Sequence, residues 1–89
     1  MPHPIDEILR SIFQAILAED KTEDEWAAIE SDDMFQTHPY VGGYDADERA
    51  FCFSYFANQR EYWFQLTLRD VRRAVAGEIK EVELSAADL

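Results

Sequence analysis

The run RAFCFSYFANQREYWFQLT, residues 49–67, decides the fold class of this chain, because here the apolar residues recur with a period of two. Side chains alternate between the two faces of a β-strand. On Arg49–Phe56 that rule puts Phe51, Phe53 and Tyr55 on one face and Cys52, Ser54 and Phe56 on the other. On Glu61–Thr67 it separates Tyr62, Phe64 and Leu66 from Trp63, Gln65 and Thr67. Both runs are aromatic-rich, as strands prefer. The polar break Ala57-Asn58-Gln59-Arg60 between them reads as the loop of an antiparallel hairpin. One face is core; the other is mixed.

Outward from this hairpin the pattern changes. Upstream, Thr37–Asp45 (THPYVGGYD) reads as a loop because of Pro39 and the paired Gly42 and Gly43, although it carries Tyr40 and Tyr44. Before it, Thr22-Glu23-Asp24-Glu25 has the spacing of a capping box, which predicts a helix from Thr22 to near Asp33 with Trp26 and Ile29 on its buried side. At the start, Ile5, Ile8, Leu9, Ile12, Phe13, Ile16 and Leu17 form one helical stripe, with Pro4 suited to the first helical position. Downstream, Thr67 serves as N-cap for a third helix that carries Leu68, Val71 and Val75 and ends at Gly77. Residues 78–84 fit two readings: Val82 and Leu84 share one face of a strand or extended tail, which is preferred, and Val75, Ile79 and Val82 also suit a helix running through Gly77. The expected fold is therefore α+β over one domain, residues 1–89: two N-terminal helices, an antiparallel β-hairpin forming a small sheet, a third helix and a C-terminal strand. A lone hairpin is marginal in water, so it must pack on a helix or extend its sheet.

The composition is globular, 47% hydrophobic and 30% charged, with a net charge of −11. That charge is unevenly placed. Between Glu19 and Glu48 eleven acids face only Lys21. Such a surface repels phosphate, which argues against direct nucleic-acid binding and against anionic membranes. One cysteine excludes an intramolecular disulfide, and the opening residues offer no basic leader, so a cytoplasmic protein is expected.

Catalytic and metal-binding signatures are sparse. Cys52 sits within a strand with no helix N-terminus to activate it and reads as a packed thiol. His3 lies at a terminus expected to fray. His38, in the Gly-Gly loop, could act as a base beside Asp45 or Glu61, but nothing in the sequence orients it. One Cys and two distant His do not make a zinc site, and the Asp45 and Asp20 loops lack the glycine and closing acid of a calcium loop. No cofactor, metal or catalytic residue is expected. Arg69, Arg72 and Arg73 on the third helix read as partners for nearby acids.

By size and charge alone the chain is similar to small acidic bacterial proteins that neutralise basic targets, such as nuclease-toxin immunity proteins and DNA mimics; no motif accompanies the likeness. The expected function is non-enzymatic binding of a basic protein partner. The candidate residues are Glu23, Asp24, Glu30, Asp32, Asp33, Asp45 and Asp47 for steering, with Trp26, Tyr40 and Tyr44 as anchors. The alternative is a structural or regulatory homodimer joined through the mixed hairpin face, at Phe56 and Trp63.

Overall fold

In the computed structural model, which describes residues 1–86, the alternating run becomes strands β4 (Ala50–Ala57) and β5 (Arg60–Leu66). They pair antiparallel from Phe51↔Leu66 to Ala57↔Arg60, so only Asn58 and Gln59 turn the chain. Both turn residues take positive φ, 53° and 62°, the mirror-image turn that matches strand twist. The expected four-residue loop is thus two residues long, because Ala57 and Arg60 still pair.

The sheet is larger than a hairpin. The segment expected to be a loop contains strand β3 (Tyr40–Asp45), and the residues just before it form β2 (Ser31–Thr37). Close packing explains the two glycines. A Cβ on Gly43 would lie 1.4 Å from the Ser31 carbonyl oxygen, and one on Gly42 would lie 2.1 Å from that of Cys52. These glycines therefore let neighbouring backbones approach instead of breaking a strand. The helix expected to reach Asp33 stops early, because Ser31–Thr37 belongs to the sheet. Helix α2 spans Glu23–Ala27, and from Ser31 onward the backbone is pressed against β3.

The N-terminal region also departs from expectation. Pro4 is not a first helical residue; Pro2–Pro4 form strand β1, and helix α1 (Glu7–Ala18) starts after Asp6, whose carboxylate accepts from the Leu9 N–H at 2.8 Å. The Thr22–Glu25 capping box is present with both of its reciprocal bonds. Helix α3 (Leu68–Val75) is capped by Thr67, and Gly77 follows it at φ +83°. The tail is extended, as β6 (Glu81–Glu83) and β7 (Ser85–Ala86).

The architecture is α+β. A five-stranded antiparallel sheet runs β2-β3-β4-β5-β7, and a separate ladder joins β1 to β6. The core lies on one side of the large sheet. Tyr40, Tyr44, Phe51, Phe53, Phe64 and Leu66 point into it, and Leu9, Phe13 and Ile16 of α1, Trp26 of α2 and Val71 of α3 close over them. Phe13 meets Phe53 edge-on, and Phe53 stacks on Phe64 at 5.6 Å between centroids. The opposite face, with Ser54, Phe56, Trp63 and Gln65, is half-buried or exposed, and among the described residues no helix covers it. Among the described residues no helix is long and apolar enough to cross a membrane.

Candidate protein-interaction surface

Three buried residues determine where the acids sit. Trp26 packs against Phe51 at 5.1 Å and fixes α2 on the core side of the sheet. Tyr44 does the same for the end of β3, 4.9 Å from Phe51. Ser31, buried and donating its hydroxyl to the Tyr44 carbonyl, ties the start of β2 to that strand. With these points fixed, α2, the 28–30 connection, the first half of β2 and the β3–β4 turn share one end of the sheet.

The acids converge there. Glu30, Asp32, Asp45 and Asp47 line one groove together with Ala27 and Ile29. A second groove, of about 640 Å³, shares Ile29, Glu30 and Asp32 and continues to Asp33 and Met34. On the helix side Glu23 and Asp24 lie close enough to Tyr44 to reinforce what burial does first, raising its phenol above the ordinary value. Asp45 accepts from the backbone N–H groups of Asp47 and Glu48, so its carboxylate shapes the turn as well as charging it. Asp24 sits 3.9 Å from Arg49, both well exposed, a pair of little energetic weight. Among the described residues Glu30, Asp32, Asp33, Asp45 and Asp47 have no ion-pair partner. Ile29 and Met34, 41% and 44% exposed, are the apolar side chains of this surface.

The expected aromatic anchors must be corrected. Trp26 and Tyr40 are fully buried and Tyr44 is 2% exposed, so none can reach a partner in this conformation. A loop over Thr37–Asp45 would leave Tyr40 and Tyr44 free to face a partner. Once β3 lies between β2 and β4, its inward positions are core positions. Ile29, expected inside, lies outside because α2 ends before it.

His3 is not frayed. It lies in β1, where it pairs with Val82, and its ring rests 4.3 Å from that of Tyr55. Its Nε2 is 2.7 Å from the Tyr40 hydroxyl, which is 2.8 Å from an Asp6 oxygen. A carboxylate only accepts, so the Tyr40 hydroxyl donates to Asp6 and the His3 Nε2–H donates to Tyr40. This chain fastens β1, the sheet and the N-cap of α1 together. Burial, and then the bond to Asp6, push the Tyr40 phenol far above its ordinary value. The sequence offers no local pattern for it, since its members are 34 and 37 positions apart.

The other candidates separate cleanly. His38 and Glu61 share an open groove at the hairpin tips with Phe56 and Arg60, whereas Asp45 lies at the far end of β3. The Glu61 carboxylate there accepts from Ser54, and the His38 ring takes no hydrogen bond among the described residues. Cys52 is half-buried on the outer face, and its thiol is pushed up by burial and then by Asp45, opposite to what a nucleophile needs. Arg73 meets Asp70 and Glu78, as expected for that arginine. Among the described residues no group of three or more His, Cys, Asp or Glu is placed to hold a metal ion. No protein-family model, no curated protein and no solved structure matches this chain.

Proposed function

We propose that this protein is a non-enzymatic interaction module that binds a basic protein surface through the acidic end of its sheet. The observation that carries the reading is the convergence of Glu30, Asp32, Asp33, Asp45 and Asp47, all without ion-pair partners among the described residues, around the exposed Ile29 and Met34. Charge steers the encounter and makes the complex sensitive to salt, whereas desolvated apolar contacts slow dissociation. Ile29 and Met34 take the anchoring role that Trp26, Tyr40 and Tyr44 cannot fill. An inhibitor or a nucleic-acid mimic is the kind of protein this charge layout suits. The test is a pull-down from host lysate with tagged protein at roughly 50 and 500 mM salt, a range over which exposed charges become strongly screened. A basic partner held at low salt, released at high salt and lost on Asp32→Asn/Asp33→Asn supports the reading. A partner indifferent to both changes overturns it.

One observation favours a second reading. Phe56 and Trp63 are 41% and 42% exposed on the uncovered sheet face, diagonal to one another through the Phe56↔Glu61 pair. A homodimer joined there would bury both. Trp63→Ala leaves the core intact, so sedimentation should then show folded monomer; an unchanged dimer, or a wild-type monomer, sinks it.

A further inference from the structure

The acidic surface includes the free edge of the sheet. Among the described residues β2 pairs with β3 alone, whereas at the other end of the order β5 is covered by the short β7 at Tyr62 and Trp63. An antiparallel edge strand aims alternate N–H and C=O groups away from its single neighbour, a template for another strand; in β2 the regularly paired part is Phe35–Thr37, and the Asp33 carbonyl is taken by the Gln36 side-chain amide. Around this edge lie Asp32 and Asp33, both exposed, with Ile29 and Met34 bordering the same groove. The register of β2 against β3 shifts between Ser31 and Phe35, and those acids fall within that irregular stretch.

Resting on the reading above, we infer that β2 accepts an extended lysine- or arginine-bearing segment of the partner as an additional strand. Main-chain bonds would hold the segment, its cations would face Asp32 and Asp33, and its apolar residues would meet Ile29 and Met34. Charge selects this occupant over a second copy of the chain. Antiparallel pairing of two β2 strands along their full length would set Asp33 of each copy diagonal to the other, between molecules that each carry a net charge of −11. The acids therefore guard the edge against self-pairing while leaving it open to a basic strand.

The test uses two short synthetic peptides of alternating lysine and valine, identical except that one is N-methylated at every residue. Methylation removes the peptide's backbone donors and keeps its charge. Binding is followed by titration calorimetry, and amide hydrogen exchange is read across residues 31–37. Edge pairing predicts slowed exchange there with the unmodified peptide and an affinity weaker by at least about tenfold after methylation, the loss expected from a few backbone hydrogen bonds. Equal binding of the two peptides, or no protection of residues 31–37, overturns edge pairing. A salt-sensitive partner lost on Asp32→Asn/Asp33→Asn in the pull-down would still leave the acidic surface standing without it.

Discussion

Gly43 has no room for a methyl group. With a Cβ only 1.4 Å from the Ser31 oxygen, Gly43→Ala must separate β2 from β3. The expected loss is at least about 3 kcal/mol, the range of severe overpacking, measurable by urea unfolding. Gly77→Ala is a useful contrast. Nothing lies near its Cβ, only φ +83° opposes it, and about 1 kcal/mol is expected. Tyr40 permits a pH prediction. Its folded-state phenol titrates far above the ordinary value, so the unfolded chain releases that proton first, near pH 10. The stability it contributes is therefore fully present below about pH 10 and declines as pH rises beyond it. Tyr40→Phe should flatten this alkaline decline in thermal melts without abolishing it, because the Tyr44 phenol is raised too. An unaltered alkaline slope would show that the proton of Tyr40 is not linked to folding. Cys52 illustrates the limit of reading single residues: its place in a strand was legible, but its half-exposed position on an uncovered face was not.

At the scale of elements, local rules held where local chemistry governs. The Thr22 capping box, the Thr67 cap and the alternation of Phe51, Phe53 and Tyr55 are all as their spacing predicts. Thr22→Ala should cost about 1 kcal/mol by urea unfolding, the usual value of such a cap. Gln59 offers the opposite lever. It takes φ 62° with a side chain present, and Gln59→Gly should raise stability by about 0.5–1 kcal/mol, since Asn-Gly is the preferred pair for this turn. The sequence misled at Thr37–Asp45, where Pro39 and two glycines signalled a loop. Gly42 and Gly43 are required by backbones that arrive from Ser31 and Cys52, a tertiary demand with no local trace. The overlong second helix and the expectation of Tyr40 and Tyr44 as surface anchors follow from taking β3 for a loop; the placing of Pro4, His3 and Trp26 does not.

For the whole molecule, the acidic stretch was legible as a quantity but not as a place. Composition counts carboxylates; only the docking of α2 beside β3 brings Glu30 and Asp32 up to Asp45 and Asp47. Unpaired like charges held this close oppose folding, so Asp32→Asn/Asp33→Asn should slightly raise the melting temperature while slowing association at low salt. A lower melting temperature would mean that these carboxylates serve the fold itself. The β1–β6 ladder has a different kind of consequence. The Met1 ammonium bonds to Glu83 and to the Leu84 carbonyl, contacts spanning 82 and 83 positions, and Pro2 lies opposite Glu83 in an antiparallel pair. A force drawing the two strands apart from that end would load their bonds one after another, as a zipper opens, instead of all at once in shear. Under tension β1 should peel away first, at low force, and only then would the five-stranded sheet bear the load.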